Sequence, residues 1–201
     1  VDQEESILLL FPDAPYENQR EMLFLKETSE HIAIWEGEKL TKDRAFEVSG
    51  IKTVHWLQDF EKVLFELMTY SDTIYINTNE HYRAKVETET REARFVKWWA
   101  AKYPAHTVAK SNPILQRIRS VKETEELDLI QNACNITEKG FRRLLSFVKP
   151  NVMEYEIEAE FAHEFLRNRS KGFAYTPIIA SGNNANVLHY IENNQPCKAG
   201  D

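Results

Sequence analysis

The sequence predicts an α/β protein in two parts that breaks off inside its second part. Short, continuous apolar runs, at residues 7–11 and 22–25 above all, read as buried strands. Between them lie segments with apolar residues at steps of three and four, which read as helices. Beyond about Asn112 that alternation gives way to two helical patterns and then two strand-like runs joined by turn residues. Two helices and one hairpin cannot bury both faces of the hairpin, so further sheet is expected to complete this part.

The elements of the first part, residues 1–111, follow in order. The run 7–11 is closed by Pro12. A Pro-, Asp- and Asn-containing loop leads to a second strand at 22–25, giving a hairpin. Helical patterns cover 30–35 and 42–48, the latter stopped near Gly50. A short strand at 53–57 precedes a helix at 60–70, which carries Val63, Leu64, Leu67 and Met68 at helical spacing. Residues 73–76 form another strand, and 92–103 a helix ended by Pro104. Trp98 and Trp99 are neighbours on that helix and point about 100° apart. They read as a broad apolar face, with one of them free to reach a partner or a cleft as the alternative.

In the second part, residues 112–201, Ser120 and Glu123 have the spacing of a capping box. Leu127, Ile130, Cys134, Thr137, Phe141 and Leu144 then mark one face of a long helix. A second helix spans 154–168, with Ile157, Phe161 and Phe165 four apart. The carboxylates at 154, 156, 158, 160 and 164 read as its solvated face. Residues 176–180 and 187–191 read as two strands of a hairpin around the Ser181-Gly182-Asn183-Asn184 turn.

Bulk properties narrow the function. Hydrophobic residues make up 42% of the 201 and charged residues 28%, which suits a folded globular chain. Lys and Arg number 25 against 32 Asp and Glu, a net charge of −7 with no long basic run. That argues against nucleic acid or an anionic membrane surface as partner. No stretch of 18 apolar residues is present, and the acidic first six residues do not resemble a signal peptide. Two cysteines, Cys134 and Cys197, make no disulfide framework and read as buried thiols of a reducing compartment.

Chemistry-bearing motifs are few. His163-Glu164 lacks the second histidine of a helical zinc motif, and the histidines at 31, 55, 81, 106, 163 and 189 share no helical turn. No phosphate loop and no nucleophile elbow occurs, and Ser181 reads as a turn residue. His189 is the best single candidate, mid-strand beside a Gly- and Asn-rich turn. By residue type alone, a lone strand histidine is more often a hydrogen-bonded structural residue.

Three stretches resemble the Xaa-Pro aminopeptidase (aminopeptidase P) family of the prolidase, creatinase and methionine aminopeptidase superfamily. They are Ile118-Arg119-Ser120-Val121-Lys122 with Glu126 and Leu127, the helix at 154–161, and residues 175–194 with Leu188-His189-Tyr190. The last is the most specific. Residues 1–111 resemble the family's creatinase-type N-terminal domain, with a mixed sheet flanked by helices. Residues 112–201 resemble the start of its pita-bread α+β domain. Asn151-Val152-Met153 stands where the family has a Gly-Met-Thr turn, leaving Asn151 free to cap the helix.

The resemblance implies a cytoplasmic, homo-oligomeric metallopeptidase that removes the first residue of peptides with proline in second position. It implies two divalent ions, manganese in most relatives, held by two Asp, one His and two Glu that would follow Asp201. His189 matches the histidine that contacts substrate and steadies the tetrahedral intermediate. By this reading the 201 residues alone bind no catalytic metal and are inactive. A prolidase acting on dipeptides and a non-catalytic peptide- or protein-binding relative are the alternatives.

Overall fold

A computed structural model describes residues 3–78 and 87–201. His81 and the first two residues lie outside the described residues. The chain divides into two compact units, Val1–Gln116 and Arg117–Asp201.

In the first unit, β1 (Ile7–Leu10) and β2 (Glu21–Leu25) form the expected antiparallel hairpin, with Leu8 opposite Leu23. After β2 come α1 (Glu30–Glu36) and α2 (Lys42–Ser49), and β3 (Thr53–Trp56) then pairs parallel to β2. The mixed sheet order is therefore β1-β2-β3. Ser29 and Thr41 cap the two helices by accepting from Ile32 N and Arg44 N. Gly50 ends α2 at φ 74°, a left-handed turn that a β-carbon would strain.

The central strand β2 is buried on both faces, which explains its unbroken apolar run. Met22 and Phe24 face a core built by α3 (Phe60–Leu67) and α4 (Arg91–Lys102). Leu23 and Leu25 face Ala45 of α2. After α3 comes β4 (Thr73–Ile76), and after α4 comes β5 (Thr107–Lys110), which pairs parallel to β4. The sequence reading did not anticipate β5, a four-residue strand with only two apolar residues, Val108 and Ala109. Trp99 is 1% exposed, and Trp98 packs partly buried on the same core with Lys102 over its ring. The pair thus forms the broad apolar face.

Between β1 and β4 runs a groove of about 780 Å³, floored by Phe60, Leu64 and Phe95. The two strands are not hydrogen-bonded to each other. Leu8, Leu10 and Tyr75, on its rims, are more than half exposed.

The helix α5 (Asn112–Ser120) leads to the second unit, which contains the 24-residue α6 (Thr124–Phe147) and α7 (Glu154–Arg167). The expected Ser120–Glu123 capping box does not form. Ser120 ends α5 and donates to Arg117 O, while Glu123 N donates to Glu126 Oε2 to open α6. The spacing was right but lay three residues early, because a carboxylate on the next turn reaches the same free amide. Asn151 does not cap α7 either. It takes φ 72° in the turn before the helix, the left-handed conformation that Asn tolerates better than most residues, and Met153 is the cap. Cys134 is exposed and only Cys197 is buried, so the reading of two buried thiols fails for Cys134.

The two helices pack on an aromatic cluster. Phe161 lies 5.2 Å from Phe141 and 4.6 Å from Phe165, and Phe173 closes the group at 5.1 Å from Phe165. Arg143 of α6 pairs with Glu160 of α7, and its other nitrogen lies 3.8 Å from Glu164.

Candidate functional site

The strand pair expected at 176–180 and 187–191 does not form. Residues 176–181 carry no strand or helix, 182–186 make a 3-10 turn, and 188–189 lie in a second turn. Only Met153 and Pro196 form a β-bridge here. The reason lies in where the backbone groups of the segment find partners. Two side chains take several of them, where a neighbouring strand would otherwise do so.

The first is Glu154, the opening residue of α7, fully buried. Its Oε1 accepts from Ser181 N at 2.8 Å and Asn184 Nδ2 at 3.2 Å. Its Oε2 accepts from the Tyr190 hydroxyl at 2.6 Å and Gln195 N at 3.0 Å. The Glu154 amide in turn donates to Gln195 O at 3.0 Å. Burial pushes the carboxyl pKa up, but the bonds from Tyr190, Gln195, Ser181 and Asn184 together outweigh it and hold the group below the ordinary glutamate value. The position at the helix N-terminus also favours negative charge.

The second is Asn193, 3% exposed and at φ 46°. Its Oδ1 accepts from Ile179 N at 2.9 Å, while its Nδ2 donates to Pro177 O at 3.1 Å and Glu158 Oε2 at 2.8 Å. Both nodes draw on α7 carboxylates, so the helix's acidic residues are not a uniformly solvated face. Glu154 is buried and Glu164 is 9% exposed. The sequence held a signal for this. Glu154 precedes Ile157, Phe161 and Phe165 by 3, 7 and 11 residues, which puts it on the apolar stripe.

His189 sits in an exposed turn, between Leu188, 89% exposed, and Tyr190, 8% exposed. The loop therefore buries Tyr190 against Glu154 and turns His189 outward. Ser181 stands at the entry to the 3-10 turn, as its residue type suggests. Its hydroxyl donates to Asp201 Oδ2 at 2.7 Å, which also accepts from Lys198 N at 2.7 Å. The Lys198 amide and then the Ser181 hydroxyl hold the Asp201 carboxyl below its ordinary value.

The donor set does not fit a catalytic metal. Among the described residues, no group of three or more His, Cys, Asp or Glu side chains is arranged to hold one. Glu154, the most buried carboxylate, has all four of its acceptor directions filled by protein donors. No helix of the described residues is long and apolar enough to cross a membrane.

Comparison with known proteins agrees with this organisation. Residues 1–75 match the aminopeptidase P N-terminal domain, and residues 128–201 match metallopeptidase family M24. The chain is 27% identical over 201 residues to the Xaa-Pro aminopeptidase of Escherichia coli, covering 100% of this chain and 45% of that protein. A structure described as an aminopeptidase P from Bacillus anthracis superposes with a TM-score of 0.83 at 31% identity, covering 90% of this chain and 43% of that one. A zinc-substituted E. coli aminopeptidase P in complex with product gives a TM-score of 0.76 at 25% identity, covering 90% and 41%. The chain spans less than half the length of these proteins. With its mixed N-terminal sheet, its α6–α7 pair and the anchored His189 loop, the chain is similar to aminopeptidase P in both parts, residues 1–75 to its N-terminal domain and residues 128–201 to metallopeptidase family M24.

Proposed function

We propose that these residues are part of a metal-dependent Xaa-Pro aminopeptidase, a hydrolase that cleaves the peptide bond preceding a proline in second position. The observation that carries this is the outward His189, held on a loop anchored at both ends within the unit that matches the metallopeptidase family. Residues 1–111 serve as the creatinase-type domain, which builds a homo-oligomer and narrows the cleft to peptides with a free N-terminus. Residues 112–201 open the pita-bread domain. Two divalent ions, manganese in this reading, would supply a nucleophile at neutral pH, and the described residues form no ligand group for them. In this reading the enzyme is cytoplasmic.

His189 contacts the substrate. A ring nitrogen bearing a proton donates to the carbonyl oxygen as negative charge develops there, a bond that strengthens toward the tetrahedral intermediate. The exposed turn leaves the imidazole free to meet a peptide from the solvent side.

The test is a peptidase assay of the chain extended to the length of its relatives, with Mn²⁺, on Xaa-Pro-Xaa and Xaa-Pro. Release of the first residue from the longer peptide supports the proposal. Cleavage of the dipeptide alone makes the protein a prolidase. Peptide binding without cleavage makes it a non-catalytic relative.

A further inference from the structure

We propose that Glu154 is a positioning residue for His189: its buried carboxylate, as an ion, fixes the loop that presents the imidazole. This rests on the reading of His189 as a substrate contact. Four donors converge on the two oxygens, and each oxygen takes one from the polypeptide backbone and one from a side chain. Their positions along the chain matter as much as their number. Ser181 and Asn184 lie at the start of the loop, Tyr190 is next to His189, and Gln195 is at the end. One side chain thus ties down three points of a segment that makes no strand ladder.

The chemistry of the site demands the charge. Two of the four donors, the Ser181 and Gln195 backbone amides, cannot reverse and accept, and each carboxylate oxygen faces one of them. A glutamine would aim its NH₂ at one of these amides whichever way it turned, in a site sealed from water. That change frees one end of the loop and lets His189 move. Displacement of a catalytic contact by about 1 Å costs on the order of 100-fold in rate.

The proposal is tested in the extended, Mn²⁺-supplemented peptidase with Glu154→Gln, His189→Ala and the double variant. The expected result is a drop in kcat of about 10- to 100-fold for Glu154→Gln, with KM little changed. That drop should vanish in the His189→Ala background, because a misplaced imidazole cannot matter once it is gone. An unchanged kcat for Glu154→Gln, or an equal drop in both backgrounds, overturns the role of Glu154 while leaving His189 in place. A His189→Ala variant with full activity overturns the underlying reading itself. If Glu154→Gln does not fold, Tyr190→Phe removes one of the four donors and repeats the cycle. A smaller drop that disappears with His189→Ala then supports the proposal, and an additive one overturns it.

Discussion

Gly140 of α6 lies against the ring of Phe161 on α7, so closely that a β-carbon on Gly140 would stand 2.1 Å from the ring edge. The same β-carbon would be 3.3 Å from Phe165. A glycine inside a 24-residue helix costs about 1 kcal/mol against alanine, and here the close helix approach is the compensating gain. Gly140→Ala should therefore destabilise the second unit by about 1–3 kcal/mol, against its helix propensity. Chemical denaturation checks this, and a stabilised variant would mean that the aromatic cluster yields freely.

The Glu154 lock should have a defined pH window. The carboxyl lies below its ordinary value in the folded chain, so its contribution is complete above that value and is lost as pH falls through the lower, folded one. The Tyr190 hydroxyl is pushed up, by burial first and then by bonding to Glu154. Its contribution is complete below the ordinary tyrosine value and fails as pH rises through the raised one. Glu192 adds negative charge near that hydroxyl, and Glu158 meets the loop through Asn193. Protection factors of the Ser181 and Gln195 amides should stay flat across neutral pH and fall at both extremes. A loss centred near neutrality would assign control to another group.

Arg143 joins α6 to α7 through Glu160 and lies near Glu164, which is 9% exposed. Removing the guanidinium leaves Glu164 with its 3.7 Å contact to Arg167 and the Asn168 amide. Arg143→Met should cost about 1–2 kcal/mol. The loss should be repeated, not doubled, in Arg143→Met/Glu160→Gln, and additivity in that cycle would dissolve the pair.

At Asn151, φ is 72° and the amide donates to Cys197 O at 2.8 Å. Asn151→Gly should be neutral or slightly stabilising. Asn151→Val should destabilise by about 1–2 kcal/mol, since a branched β-carbon clashes in the left-handed region. Equal melting temperatures for the two variants would contradict this.

The helices and the buried strand β2 were legible because each carries its own period. The pattern of α7 gave its span to within about one residue, that of α6 gave its apolar face, and β2 declared itself as an unbroken apolar run. Two kinds of feature were not legible. The Ser120–Glu123 spacing satisfied the capping rule, but two such boxes overlapped and only the fold chose between them. Residues 176–180 and 187–191 are short apolar runs around a turn, as in a hairpin, yet such a run records what a segment can pair with, not whether a partner lies beside it. Here Glu154 and Asn193 take backbone groups of this segment. Glu154 itself was hidden by its residue type, although its place on the Ile157–Phe161–Phe165 stripe marked it as buried.

The groove between β1 and β4 also bears on how the molecule behaves in bulk. Both of its walls are strand edges, since β1 pairs with β2 and β4 with β5 but not with each other, and Leu8, Leu10 and Tyr75 flank it in the open. Natural proteins blunt such rims with lysine or proline, and between Ile7 and Leu10 the sequence places neither. A concentrated preparation of these 201 residues is accordingly a template for sheet growth. Its shelf life should be set by the number of molecules per millilitre, well before heat or acid reaches the core.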